Sequence, residues 1–186
     1  MLQKFNNYWN NNYKIYGLFV SLLCVFNYYL NLAPRLFVIH TVNTYLIIDT
    51  INCIINKDYI YILHHYAGLS LIYFSLYYNF YNSKYCAIFI NMENSNVFLN
   101  LLLFTSGKLR KYISILFYIS FMYFRIFQYF YYIFQKEYYD FYISLFYVNK
   151  LYSVLFFYIP IISITNLNIY WSYLLTKKFI KKFKKS

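Results

Sequence analysis

The chain is poor in charge and poorer still in acid: of 186 residues 12% are charged, and 5 Asp+Glu stand against 17 Lys+Arg, for a formal net charge of +12. Long stretches have almost none. Residues 15–34, 59–83 and 151–176 contain no Asp, Glu, Lys or Arg, and residues 36–56, 85–107 and 112–135 contain one each: Asp49, Glu93 and Arg125. Three cysteines, Cys24, Cys53 and Cys86, all fall inside these stretches. They match no metal-ligand spacing and read as small buried hydrophobes, so nothing indicates a disulfide framework. There is no N-x-Ser/Thr sequon. The first 14 residues are polar and Asn-rich, and no small-residue cleavage site follows a short apolar core, so a removable signal peptide is not expected. With 2 Pro, 3 Gly and no repeat or linker-like run, the chain reads as one domain.

What is abundant is apolar surface, 62% of residues, with 27% aromatic. A soluble domain of this size leaves about a third of its unfolded surface exposed, too much to hide side chains in this proportion from water. The expected solvent is lipid. A helix rises about 1.5 Å per residue and needs about 20 residues to cross roughly 30 Å of hydrocarbon, and each of the six stretches is long enough. The expected fold is an all-α integral membrane protein, a bundle of six transmembrane helices around a polar cavity. Residues 1–14 form a polar tail, 15–176 the helical domain and 177–186 a basic tail. Because Tyr, Phe, Asn, Ile and Lys share A/T-rich codons, the 28 Tyr and 21 Phe read as lipid-facing or core filler rather than a cofactor box.

Basic residues set the orientation. Six crossings place Lys4, Lys14, Lys57, Lys108, Arg110, Lys111 and the tail lysines Lys177, Lys178, Lys181, Lys182, Lys184 and Lys185 on one side, and Arg35, Lys84, Lys136 and Lys150 on the other. The positive-inside bias then puts both termini in the cytosol. Residues 138–150 are left as a lumenal loop or an interfacial helix, with Pro160 kinking the last span. The tail reads as an orientation and surface anchor beside acidic lipid; RNA phosphates would meet the same lysines, but no specific nucleic acid is expected. Its ending, Lys182-Phe-Lys184-Lys-Ser186, also fits a Lys-x-Lys-x-x retrieval pattern of the endoplasmic reticulum.

Ionisable groups inside a bilayer are costly unless paired or turned to an internal cavity, so they are the default functional candidates. Counting along the helices puts Asp49, His64 and His65 about 8–10 Å deep on one side, within reach of one another through the Asn56-Lys57-Asp58 turn. A carboxylate bonded to imidazole orients the ring and raises its basicity. Glu93 and Arg125 lie in a second layer about 12–13 Å from the other end, where pairing would lower the burial cost of each. Successive histidines do not converge on one ion as i and i+4 do, so no metal site is expected.

Tyr45-Leu-Ile-Ile-Asp49, Ile62-Leu-His64-His65-Tyr-Ala67, Glu93-Asn-Ser95-Asn-Val-Phe98-Leu-Asn100, Phe124-Arg125-Ile126 and Asn168-Ile-Tyr-Trp171 before a Lys-rich tail occur in this order. The set resembles the TLC-domain family, which groups ceramide synthases, translocating-chain-associated membrane proteins and small TLC-domain-containing membrane proteins. The paired histidines followed by E-x-S-x-x-F-x-N discriminate best. The resemblance is closest to the small subgroup, and it implies a helix bundle around a lipid-accessible cavity and a link to membrane lipid composition. Ceramide synthases use paired histidines with aspartates on the following helix to move an acyl group from acyl-CoA to a sphingoid amine. Here that helix offers Asn91, Glu93 and Asn94.

Three functions follow. The first is lipid handling without chemistry, with Glu93, Arg125, Asn100 and Ser95 as cavity or structural polar groups and membrane lipids as partners. The second is acyl-CoA-dependent N-acyl transfer, with His64 or His65 as base or acyl acceptor, Asp49 as orienting group, and Lys108, Arg110 and Lys111 attracting CoA phosphates. No cofactor is expected beyond acyl-CoA as substrate. The third is a scaffold near the translocon, and a homodimer is left open.

Overall fold

The computed structural model describes residues 2–79 and 84–183, and side chains 2–13, 28, 84–87, 148, 182 and 183 are not considered. Cys86 and the tail lysines Lys182, Lys184 and Lys185 therefore lie outside the described side chains. Among the described residues every element is helical. Helix α1 spans Leu2–Leu30, α2 Arg35–Asn56 and α3 Tyr59–Tyr77. Helix α4, Lys84–Asn91, runs through a 3₁₀ turn, Met92–Ser95, into α5, Asn96–Leu102. Helix α6, Gly107–Phe121, passes through a π segment, Met122–Gln128, into α7, Tyr129–Ile133. Helix α8 is Lys136–Val148, α9 Lys150–Ser153 and α10 Ile159–Phe183, the last two joined by a π segment at Val154–Tyr158.

These pieces pack in a ring. α1 lies against α2, α2 against α3, α3 against α10, α10 against α6, α6 against α5, and α5 returns to α1. The hollow inside the ring is where the site sits. Outside it, Phe37, Ile51, Ile119, Phe127 and Ile162 are all more than half exposed, while His65, Asn94, Ser95, Arg125 and Asn168 are buried. An apolar rim with the polar groups turned inward is the arrangement lipid solvent demands.

Three helical stretches are long and apolar enough to cross a bilayer: Arg35–Asn56, Gly107–Ile133 and Lys150–Lys181. Lys14–Asn27 is a shorter apolar stretch. The expectation of six spans is thus met at three on length and mean hydropathy. α3 and the 84–102 rod carry the polar residues that face the hollow, and these lower their hydropathy without shortening them.

The connections explain the register. After α2, Lys57 adopts the left-handed conformation (φ 61°, ψ 33°). The Lys57 amide then donates to the Ile54 carbonyl at 3.2 Å and the Asp58 amide to the Cys53 carbonyl at 2.9 Å, a Schellman closure with lysine where glycine is usual. This turn returns α3 directly along α2. At the other end of the chain, Pro160 follows the π segment. Proline removes an amide and crowds the carbonyl four residues earlier, and the widened turn before it absorbs both. Residues 138–148 are helical and anchored: Tyr138 and Leu145 are buried, Ser153 Oγ donates to the Leu145 carbonyl at 2.8 Å, and Tyr158 Oη donates to the Tyr142 carbonyl. The polar N-terminal stretch continues α1, and the basic residues Lys177–Lys181 continue α10.

The aromatic residues fill the core here. Phe74 and Phe157 have ring centroids 5.1 Å apart, as do Tyr142 and Phe157, within a cluster that includes Tyr129, Tyr138, Leu71 and Ile164. This cluster closes the end of the bundle where α8 lies.

Candidate functional site

Asp49 and Cys53 share one face of α2, four residues apart, and the Schellman turn lays the first turns of α3 beside that face. His65 Nε2 comes within 3.1 Å of Asp49 Oδ2. On the other side of the carboxylate, Cys53 Sγ donates to Asp49 Oδ1 at 3.8 Å. The carboxylate is thus held from two directions. The contact anticipated through the Asn56-Lys57-Asp58 turn is present.

The second polar group is built by two irregular helices. Asn and Ser side chains compete with the backbone for hydrogen bonds and weaken regular helix, and at Met92–Ser95 the rod tightens to 3₁₀ with Ser95 Oγ donating to the Met92 carbonyl at 2.9 Å. Opposite, the π segment inserts Arg125. Its Nε donates to Ser95 Oγ at 3.0 Å, its Nη2 to Asn96 Oδ1 at 3.2 Å, and Nη2 lies 3.7 Å from Glu93 Oε1. Asn96 Nδ2 donates to Glu93 Oε2. Arg125, 2% exposed, is therefore gripped by three residues of one short segment. A buried ion pair with this many accompanying bonds meets the condition under which burial is tolerated.

Trp171 joins the two groups. Its ring lies edge-on to His64 with centroids 5.1 Å apart, stacks on Tyr61 at 5.6 Å, and has the Arg125 guanidinium carbon 5.9 Å from its centroid. What sequence counting separated into two layers is one site. Asp49, His64, His65, Glu93, Arg125 and Trp171 line a single cavity of about 660 Å³. Its remaining walls are mostly apolar, including Leu99, Leu102, Phe117, Leu174 and Leu175, and Ser114, Lys178 and Phe179 lie along it as well.

Asn100 also lines the cavity and donates from Nδ2 to Ser21 Oγ at 2.9 Å; Ser21 in turn donates to the Gly17 carbonyl at 2.8 Å. Ser95 is fully buried beneath Arg125. His40, by contrast, is exposed and outside the site. Sequence reasoning gave Asn96 no role, read Cys53 as a small buried hydrophobe, and met Trp171 only within the run Asn168-Ile-Tyr-Trp171. The signal for Cys53 as a polar partner was its i+4 spacing from Asp49; for Asn96 it was the position one turn of 3₁₀ after Glu93. Nothing in its run gave Trp171 the bridging place it holds.

Residues 4–177 match the family profile of the TLC domain. The match covers most of the chain, and the chain belongs to the TLC-domain family, a lipid-related family of membrane proteins. No curated protein and no solved structure gives a significant match.

Proposed function

We propose that this protein is a multi-pass membrane protein that binds a lipid between its helices and so influences membrane lipid composition. The observation that carries this reading is the cavity: polar at Asp49, His65, Glu93 and Arg125, apolar along Leu99, Leu102, Leu174 and Leu175, and set in a molecule whose outer surface is itself apolar. That division matches an amphiphile. The cavity, about 660 Å³, has room for an acyl chain and a small head group. In this reading six helical rods cross the bilayer with both termini cytosolic, and the endoplasmic reticulum is the membrane. Native mass spectrometry of the purified protein should show a retained lipid, and a lipid-free preparation with an occluded interior rejects the proposal.

A second reading, N-acyl transfer from acyl-CoA to a sphingoid-type amine, is favoured by the Asp49–His65 pair. The amine nitrogen would attack the thioester carbonyl, the C–S bond would break, and the proton lost by the amine would pass through an imidazole to the CoA thiolate. Membranes given labelled acyl-CoA and sphingoid base decide it. Product that disappears in His64→Ala/His65→Ala supports this reading, and equal product from the wild type and the variant rejects it.

A further inference from the structure

We propose that Asp49, Cys53 and His65 form a binding site for a single zinc ion. The three side chains offer one oxygen, one sulfur and one nitrogen donor, all within 4.8 Å of one another. Donors in a tetrahedral zinc shell, with bonds of about 2.0–2.3 Å, lie ~3.5 Å apart. His65 Nε2 lies 3.1 Å from Asp49 Oδ2 and Cys53 Sγ 3.8 Å from Asp49 Oδ1, so the imidazole and the thiol flank the carboxylate on its two oxygens. The three donors must draw in from separations of up to 4.8 Å to share one ion.

The scaffold is rigid where it has to be. Asp49 and Cys53 sit one turn apart on α2, His65 projects from α3, and the Schellman closure at Lys57 fixes the two helices against each other, using the Cys53 carbonyl itself. His65 and Cys53 are buried, and Asp49 is 15% exposed at its side chain. His65 turns Nε2 toward the carboxylate, which makes it the nitrogen available to a cation. Charge balance favours the same ion. A carboxylate and a thiolate with one divalent cation sum to zero, which suits a buried position in a lipid-embedded bundle. Mixed sulfur, nitrogen and oxygen donors select zinc over magnesium or calcium, which take oxygen ligands.

Asp49 and His65 line the cavity, and Cys53 is buried outside its lining. Three protein donors therefore leave the fourth position facing the cavity, open to water or to a polar group of an occupant, as in three-ligand zinc sites generally. Binding would release the Cys53 proton and would occupy His65, leaving His64 as the imidazole free in the cavity.

The test is metal content of the purified full-length protein after equilibration with zinc and removal of excess, together with the absorption spectrum of the cobalt-loaded form. About one zinc per chain is expected, retained by His64→Ala and lost by Cys53→Ala and by His65→Gln. The cobalt form should show tetrahedral visible bands and a thiolate-to-cobalt charge-transfer band that Cys53→Ala lacks. Cys53→Ala removes only a small buried side chain, and an unchanged thermal transition in detergent separates loss of a ligand from loss of the fold. Wild-type protein without zinc, or zinc held equally by wild type, Cys53→Ala and His65→Gln, overturns the site. Neither result depends on whether a lipid is retained.

Discussion

Arg125 is the residue whose removal should be felt most. It is buried, bonded to Ser95 and Asn96 and paired with Glu93. Arg125→Ala leaves the Glu93 carboxylate buried with its cationic partner gone, a loss of about 3–5 kcal/mol in comparable buried pairs. Pairing Arg125→Met with Glu93→Gln removes both charges, so thermal unfolding in detergent should show the double variant more stable than Arg125→Ala. Equal stability of the two would mean the pair is solvated. Asn100→Ala should cost less, about 1 kcal/mol, because Ser21 keeps its bond to the Gly17 carbonyl. At this scale the sequence was informative about charge and silent about size. A charge in an apolar run announces itself, and Asp49, Glu93 and Arg125 did. Trp171, which joins them, is one aromatic among many. Its role follows from its position between α3 and the Met122–Gln128 segment, not from its type.

At the scale of the helix, close approach matters more than propensity. A Cβ on Gly17 would meet Asn100 Oδ1 and Tyr45 Cε2 at 3.3 Å each, and one on Gly68 would meet Leu46 Cδ1 at 3.1 Å. Gly17→Val and Gly68→Val should therefore each destabilise by about 1–3 kcal/mol through overpacking. Lys57→Gly should do the reverse, since lysine sits at φ 61° where a Cβ costs about 1–2 kcal/mol. Thermal transitions of the three variants in one detergent check both signs. The existence of most helices was legible, because uncharged runs of the right length leave few alternatives. Their irregularities were not. The 3₁₀ turn at Met92–Ser95 and the π segment at Met122–Gln128 change the helical phase on both sides of the Glu93–Arg125 pair. Sequence counting could not show that one cavity spans both groups, because that depends on Trp171 and on how the helices pack.

For the whole molecule, the placing of the polar groups is the governing fact: the charged ones that are buried gather at a cavity in the ring, and apolar side chains cover the rim. An apolar rim residue should tolerate no charge if it meets hydrocarbon. Ile119 on α6 is 57% exposed, and Ile119→Lys should impair membrane integration, with a penalty of about 2.5–3.5 kcal/mol where the position lies at mid-bilayer. Carbonate-resistant membrane association of wild type and variant measures this, and equal association would place the α6 rim away from lipid. The central claim, that the cavity holds a lipid, is tested most directly by native mass spectrometry of the protein released from its detergent micelle. The account expects a bound species with the mass of one lipid, lost when Leu174→Trp fills the apolar wall while the fold persists. A folded wild-type protein that carries no lipid, or one whose bound lipid is unaffected by filling that wall, would contradict it.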